Sequence, residues 1–486
     1  MTAVKFQDNA AQRSDQKCPV CGTSRAIETL TIEPAPIKAG RLGLFACQGC
    51  HSFFYGGPDP VIGYDHSGFE PKYWLHYAQI GAGISAMLMP LMALGERARG
   101  SLLDVGCGFG YVPDFWGRSG RGPAVGLESA VYGKIGKEKL GVEIHHQYYN
   151  QCEAIAGRKF DIVFSSEVIE HVPDPKAFLS EIGQGLAENG MLVLTTPSAS
   201  IVRPDADAST LNAALSAGFH FFLASKSALE DTIKAAGFPH VVVRDSGHQL
   251  VAWASRQPFA APDVAAFDWN GYFDYLEHLG RNADASVKGG ALYRLFRDCH
   301  NTGKFDRAAS AYEGLSALAK DTYGIELESP DVGQVLHSAD LISRLDTSPA
   351  WLSCGLLFGG MHVGKRADGK RTKLRMMDAA VRIFRHDIAT SPAFTQEPSH
   401  LQPLAEQQYR IGLAEALRSE IKFGIGHITP EGFRPLRANL INEFIGALTN
   451  LTGTVVNAMP SASGSVAKGI VAKWRRSIAK RVKTRT

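Results

Sequence analysis

Long apolar runs are missing from this sequence. One uncharged, largely apolar stretch, Ala78–Gly95, is interrupted by Gly81, Gly83 and Pro90, so it predicts a buried helix rather than a membrane span. The first 17 residues are polar and contain no apolar segment of a secretory signal. The eight cysteines, without such a signal, favour a reducing compartment in which thiols bind metal instead of pairing. We therefore expect a cytoplasmic protein.

A strong excess of one charge is also absent, because 51 basic residues face 48 acidic ones. The charges are unevenly distributed along the chain. The last segment, 464–486, holds eight basic residues and no acid, which leaves 43 basic and 48 acidic residues for the chain before it. The body is mildly acidic, and the basic character lies in a tail. A length of 486 residues predicts two to four domains.

The most informative motif is Leu-Leu-Asp-Val-Gly-Cys-Gly-Phe-Gly at 102–110. An apolar strand ends in Asp104, and glycines follow at alternate positions: Gly106, Gly108 and Gly110. Such a turn from a buried strand into a helix lets the backbone approach a ligand. A dinucleotide site would place its third glycine one residue later. The motif resembles motif I of the class I S-adenosylmethionine-dependent methyltransferases.

Further stretches extend this resemblance over about residues 99–255. A second apolar run, 124–127, ends in Glu128, and Phe160–Pro175 is similar to the fourth strand and following loop of ubiquinone-biosynthesis-type methyltransferases. Residues 190–197 are typical of the fifth strand of that family. His220 and a helix over 225–236, followed by Gly-Phe, fit its late segment.

The resemblance implies an α/β fold: a Rossmann-like methyltransferase core with a mostly parallel seven-stranded sheet, between an N-terminal zinc ribbon and a C-terminal all-α domain. We place strands near 101–105, 123–127, 142–145, 160–165 and 190–196, followed by a hairpin of 240–245 with 249–255. The implied cofactor is S-adenosylmethionine. Its expected binding residues are Asp104, Gly106, Gly108, Gly110, Glu128, for the ribose hydroxyls, and Glu167.

The methyl acceptor is expected to meet Glu167-x-x-Glu170-His171, at the sheet edge where ligands bind in such folds. His171 is the first candidate for a general base and His220 the second. One alternative is that His171 is a structural hydrogen-bonding residue. Another is a Mg²⁺ ion held by Glu167, Glu170 and His171, although a hard cation prefers six ligands and the sequence offers three.

Two C-x-x-C pairs, separated by 25 residues, predict one structural zinc ion held by Cys18, Cys21, Cys47 and Cys50. Four cysteines fill the tetrahedral coordination shell of zinc, so the ion would not contact substrate. Unligated thiols and an iron–sulfur cluster are the alternatives. Such ribbons precede the catalytic domain in sugar C-methyltransferases and in a ribosomal-RNA guanine methyltransferase family, so they do not settle the substrate.

The chain is expected to contain six segments. They are 1–16, a polar tail; 17–56, the zinc ribbon; 57–98, an aromatic-rich helical connector; 99–256, the methyltransferase domain; 260–455, the all-α domain; and 456–486, a Ser/Gly linker with a basic amphipathic helix.

Three of these segments have expected roles. The aromatic residues of the connector, among them Tyr77, are expected to lie over the cofactor or to pack the ribbon against the core. The insertion 198–218 in the methyltransferase domain is expected to shape the substrate pocket. Residues 303–312 resemble one helix of a tetratricopeptide repeat, which suggests dimerisation or partner binding by the all-α domain.

The tail helix carries an apolar stripe in which every fourth residue is Val, Ile or Trp, with basic residues on the remaining arc. This profile favours attachment to an anionic membrane surface through 466–486, and hence a peripheral location at the inner face of a membrane. A solvated tail, a helix docked on the acidic body and nucleic-acid binding are the alternatives. The stripe consists of Val466, Ile470, Trp474, Ile478 and Val482.

Together these features predict a methyltransferase that acts on a hydroxylated small molecule or a glycan or lipid-linked intermediate, by O-methylation with His171 as general base. The runner-up is a zinc-ribbon RNA methyltransferase. The core lacks clustered basic and aromatic residues, so nucleic acid is not the expected partner. A non-enzymatic scaffold is disfavoured because the cofactor residues are intact.

Overall fold

The computed structural model describes residues 3–7, 13–33, 41–57, 61, 72–81 and 83–422. The predicted tail helix 466–486 and the end of the predicted all-α domain lie outside the described residues. Among those described, no helix is both long and apolar enough to cross a membrane. The strands are β1 Ala3–Phe6, β2 Arg13–Ser14, β3 Ala26–Glu33, β4 Leu42–Cys47, β5 Phe53–Tyr55, β6 Leu102–Val105, β7 Ala124–Leu127, β8 Ile144–His145, β9 Phe160–Ser166, β10 Leu186–Pro197, β11 Phe222–Leu223, β12 His240–Asp245 and β13 Gln249–Ser255.

The helices are interleaved with the later strands and then continue alone. They are α1 Tyr73–Gln79, α2 Ile84–Met92, α3 Tyr111–Arg118, α4 Val131–Leu140, α5 Pro175–Ile182, α6 Ala208–Leu215, α7 Lys226–Ala235, α8 Trp269–Leu279, α9 Ala285–Asn301, α10 Phe305–Tyr323, α11 Gly333–Leu336, α12 Leu352–Val363, α13 Lys370–Thr390 and α14 Gln396–Lys422.

The central sheet has seven strands in the order β12-β13-β10-β9-β6-β7-β8. Its strands are parallel from β10 to β8, and β13 pairs antiparallel with both β10 and β12. The central strands are almost entirely buried and apolar, as expected for a parallel sheet covered on both faces. This confirms the predicted Rossmann-like methyltransferase sheet, with its final antiparallel hairpin.

A second sheet belongs to the ribbon: Cys47 ends its strand β4, and Cys18, Cys21 and Cys50 lie in the loops beside its strands. Its order is β1-β3-β4-β5-β11, with β2 paired to β3. The segment 1–16, predicted as a polar tail, thus contributes two strands to this sheet. Its last strand, β11, comes from the methyltransferase region and follows His220 directly. The ribbon and the core therefore share one sheet.

Apolar side chains cover both faces of this second sheet. Phe54 belongs to the main core, which also contains Leu229 of α7. Leu44 lies in a separate cluster with Leu211 and Leu215 of α6, the helix of the predicted insertion. The insertion thus packs on the ribbon sheet, and the ribbon is held between two layers of the methyltransferase region.

The region after the central sheet is helical, as predicted, and its main units are the pairs α9–α10 and α12–α13. Helix α1 packs on α9, where a Cβ on Gly290 would collide with the carbonyl oxygen of Ala78. The buried amide of Gln79 donates to the Leu345 carbonyl at 3.1 Å and accepts from the Ala350 N–H at 2.8 Å. The helical region therefore fixes the position of α1.

Candidate active site

The glycine loop joins β6 to α3, and all three of its glycines have positive φ angles, of 77° at Gly106, 55° at Gly108 and 87° at Gly110. Side chains are strained in this region, which favours glycine. A Cβ on Gly106 would collide with Val168, and one on Gly110 would lie 2.5 Å from Ile144 Cδ1. The loop conformation and its protein neighbours therefore require two of these glycines, independently of any ligand.

Gly108 differs from the other two because a Cβ there would point at the Tyr77 hydroxyl, 3.1 Å away. Tyr77 lies on α1 and its ring is near those of Phe109, Tyr111 and Tyr132. Burial, followed by the nearby carboxyl of Glu128, raises the pKa of Tyr77. Of the connector aromatics, Trp74 and Tyr77 lie near Phe109 of the glycine loop, whereas Tyr73 packs on Phe394. The connector residues Tyr64 and Phe69 lie outside the described residues.

Glu128 follows the end of β7, next to this loop. Its carboxylate accepts the backbone N–H groups of Gly108 and Ala130, each at 2.8 Å. Asp104 is buried at the end of β6, and burial followed by the charge of Glu128 raises its pKa. The two carboxyls thus lie on adjacent strand ends, with the loop between them.

The loop after β9 begins against the same glycines, since Val168 contacts Gly106. It brings Glu170 and His171 together with His220, and the donor atoms of all three residues lie within 4.8 Å of one another. The Nε2 atoms of both imidazoles are 3.9 Å from Glu170 Oε1. That separation is too long for a direct hydrogen bond and leaves space for one bridging atom. We call these three residues the acceptor cluster.

Backbone carbonyls orient both imidazoles. His171 Nδ1 is 2.9 Å from the Phe219 carbonyl oxygen, and His220 Nδ1 is 2.9 Å from that of Ala214. A carbonyl only accepts, so each Nδ1 carries the proton and each neutral ring keeps its lone pair on Nε2. Burial lowers the pKa of His171 to about 4 and that of His220 well below its usual value.

Glu170 is fully buried. Its Oε2 accepts the Thr196 hydroxyl at 2.9 Å, whereas Oε1 accepts no hydrogen bond from any described residue. Burial, followed by the charge of Glu167, raises its pKa well above the usual value. A buried carboxyl oxygen without a donor is costly and is typical of a site that binds something. His171 is the most exposed member, at 16% of its side chain, so the cluster reaches solvent through it.

Glu167 is not part of this cluster. Its carboxylate accepts the Thr195 hydroxyl at 2.8 Å and the Gln249 amide at 2.9 Å, toward β10 and β13. Its φ of 55° is uncommon for a residue with a side chain, and such conformations often occur at functional sites. The short 3₁₀ helix Ile169–His171 begins after Glu167, so the three residues do not share one helical face.

The predicted Mg²⁺ set of Glu167, Glu170 and His171 is therefore not assembled, and His220 takes the place of Glu167. Two imidazoles and one carboxylate suit a transition-metal ion better than Mg²⁺, which prefers oxygen ligands. His220 was predicted only as a second base. Its closeness to His171 depends on the fold of 198–218, which the sequence does not show.

The four ribbon cysteines also lie together, with their sulfurs within 4.8 Å of one another. Cys18 Sγ is 3.7 Å from Cys50 Sγ, and Cys21 Sγ is 3.5 Å from Cys47 Sγ. His51 lies outside the group.

Residues 75–242 match the family model described as "Methyltransferase domain". A ubiquinone biosynthesis O-methyltransferase of Ruegeria sp. (strain TM1040) is 34% identical over 100 residues, which is 20% of this chain and 40% of that protein. Its counterpart from Azorhizobium caulinodans is 33% identical over 100 residues, 20% of this chain and 39% of the relative. The chain thus spans about two fifths of the length of these curated relatives.

Among solved structures, an O-methyltransferase family protein from Burkholderia thailandensis covers 38% of this chain and 60% of its own, at 17% identity and a TM-score of 0.32. The glycine loop, the strand order and the match over 75–242 agree with one another. Residues 75–242 therefore form a class I S-adenosylmethionine-dependent methyltransferase domain.

Proposed function

We propose that this protein transfers a methyl group from S-adenosylmethionine to a hydroxyl oxygen of a small molecule or of a glycan or lipid-linked intermediate. The observation that carries the proposal is the position of the acceptor cluster directly beside the glycine loop. The relatives from Ruegeria and Azorhizobium are named O-methyltransferases, which supports transfer to oxygen.

The residues at the loop fit the cofactor. The glycine loop turns from β6 into α3 with positive φ at three alternate glycines, and Glu128 lies beside it with a carboxylate suited to two hydroxyl groups. Tyr77 and its aromatic neighbours would exclude water from this site. When bound, S-adenosylmethionine supplies an electrophilic methyl group, so the protein has to align the acceptor and remove its proton.

His171 would remove that proton. The Phe219 carbonyl holds its Nδ1–H, which leaves Nε2 as the basic atom. The ring is neutral at physiological pH because burial lowers its pKa to about 4. An imidazolium would form 3.9 Å from Glu170 Oε1, where its positive charge would favour ionisation of this carboxyl, whose pKa is raised by burial, and would be attracted to it. This attraction opposes the cost of forming a charge in a buried site.

The cysteine group fits a structural zinc ion. Bonds of about 2.3 Å in tetrahedral geometry separate sulfurs by about 3.8 Å, near the spacings of the two cysteine pairs. The closed shell leaves no position for substrate, so zinc would stabilise the ribbon.

We further propose that the helical region binds a partner or a second copy of the chain, and that the basic segment 466–486 binds anionic membranes. The second proposal rests on the sequence pattern alone.

Replacing Glu128 with alanine should weaken binding of S-adenosylmethionine about 10- to 100-fold, because the ribose hydroxyls lose their acceptor. Isothermal calorimetry measures this directly. Glu143→Ala, an exposed carboxylate near β8, is the matched control and should bind as the wild type does. Equal affinity of the Glu128 variant and the wild type would contradict the assignment.

His171→Ala should lower methyl transfer about 10²- to 10⁴-fold, with cofactor affinity changed little, because only the base is lost. Transfer is measured with methyl-labelled S-adenosylmethionine and fractionated cell extract. Label in small molecules, glycans or lipids supports the proposal, whereas label in RNA alone supports the RNA methyltransferase instead.

The pH dependence provides an independent check on His171. Since its pKa is about 4, the basic form should dominate throughout pH 5.5–7.5, and the rate should be nearly constant there. An ordinary imidazole would lose half of its basic form near pH 6.5. If the wild-type rate instead halves near pH 6.5, the base has the pKa of an ordinary imidazole, and this result would contradict the assignment of the buried His171.

Elemental analysis should find about one zinc ion per chain, and Cys18→Ser/Cys21→Ser should lose it. His220→Ala, which removes a ligand-type side chain from the acceptor cluster, should retain that zinc. Zinc that persists in the double cysteine variant would contradict the ribbon site, and a second equivalent lost in His220→Ala would place a metal ion in the acceptor cluster.

The full chain should sediment with vesicles that contain anionic lipid, and a chain ending at Met459 should not. Attraction of about 1 kcal/mol per basic residue is the physical basis. Neutral vesicles serve as the control. Recovery of both proteins in the supernatant in every case would rule out the membrane proposal.

A further inference from the structure

The segment Phe219–Ser225 lies between the ribbon sheet and the acceptor cluster and is bonded to both. The Phe221 N–H donates to the Glu170 carbonyl at 2.7 Å, and the Phe221 carbonyl accepts the Tyr55 N–H at 3.0 Å. One residue thus joins a ribbon strand directly to the backbone of the buried carboxyl residue.

On the ribbon side, the segment is held at several further points. Strand β11 pairs with β5 through Phe222 with Phe54 and Leu223 with Phe53. The Ser225 hydroxyl donates to the carbonyl of Cys50 at 2.6 Å, and a zinc-ligand candidate is therefore one hydrogen bond from this segment.

On the cluster side, the same segment accepts a hydrogen bond from one imidazole and carries the other. The Phe219 carbonyl receives His171 Nδ1–H, and His220 is itself a member of the segment. The buried Tyr55 hydroxyl donates to the Leu215 carbonyl at 2.8 Å, next to the Ala214 carbonyl that orients His220. Both carbonyls that fix the imidazole tautomers are thus close in sequence to residues bonded to the ribbon: Ala214 precedes Leu215, and Phe219 is two residues before Phe221.

Packing prevents the ribbon from moving independently of the cluster. Phe54 is buried in the main core on one face of the sheet, and Tyr55 is buried against the α6 layer on the other. A misplacement of a catalytic group by about 1 Å can lower a rate about 10²-fold. Small shifts of the ribbon would therefore reach His171.

We propose that the cysteine-bearing sheet positions the acceptor cluster, with Ser225 and Tyr55 as positioning residues. The proposal rests on the proposed methyl transfer, because it assigns the ribbon a role in turnover. It differs from a purely local folding role of the zinc ribbon, in which loss of the contact would leave the reaction unchanged.

Two substitutions of Ser225 isolate its bond to Cys50. The Ser225 hydroxyl also accepts the Ala228 N–H and so caps α7. Aspartate and asparagine both cap helices well, but only asparagine can donate to the Cys50 carbonyl. Ser225→Asp removes the side-chain bond to the Cys50 carbonyl, while the helix cap, the bond from the Ser225 N–H to the Ser52 hydroxyl and the β11–β5 pairing persist. Ser225→Asn is its matched control.

In the full-length protein, Ser225→Asp should lower kcat about 10- to 100-fold with an unchanged Kd for S-adenosylmethionine, and Ser225→Asn should stay within about threefold of the wild type. Equal kcat values for all three proteins, or equal losses in both variants, would overturn the proposal. This split between kcat and cofactor affinity separates positioning from general destabilisation.

Hydrogen exchange gives a readout that does not need methyl transfer. In Ser225→Asp the amides of 219–225 and 169–172 should exchange faster, while those of 104–110 should not change. Unchanged exchange in 169–172 would overturn the proposal. An inactive wild-type protein with the expected exchange pattern would instead mean that the proposed function fails and the coupling holds.

Discussion

The buried carboxyl of Glu170 is the constraint on which the active-site region depends. A carboxyl group without a donor to one of its oxygens costs several kilocalories per mole when it is removed from water. The fold compensates only in part: Thr196 donates to one oxygen, and two neutral imidazoles face the other at 3.9 Å. The cluster therefore favours anything that brings a proton or positive charge, which is what deprotonation of a hydroxyl by His171 would generate.

Two parts of the chain outside the central sheet, the helical region and the cysteine-bearing sheet, support different parts of the site. The helical region fixes α1 through Gln79 and the close approach at Gly290, and α1 carries Tyr77 over the glycine loop. The cysteine-bearing sheet holds 219–225, and this segment orients the imidazole of His171 and contains His220. The glycine loop and the acceptor cluster are thus supported by different parts of the chain, and both follow strands of the central sheet.

Local patterns predicted the central sheet well, because several of its strands are short apolar runs, and β6 and β7 are followed by Gly106 and Glu128. The same patterns located the glycine loop, Glu128 and His171. They failed where distant segments meet. Glu167 and Glu170 are three residues apart, yet a positive φ at Glu167 turns its side chain toward Gln249. The pairing of His220 with His171 needs α6 and β11, and nothing in the sequence near Ser225 indicates its bond to Cys50. The strands in 1–16 are only four and two residues long, so their pairing with β3 is a tertiary effect.

A crystal structure of the full chain with S-adenosylhomocysteine is the most direct test of this account. We predict that the ribose hydroxyls bind Glu128 and that the thioether sulfur faces the acceptor cluster, with His171 oriented toward the space between them. A sulfur atom sealed off from Glu170, His171 and His220, or a nucleoside bound away from Glu128, would contradict the account.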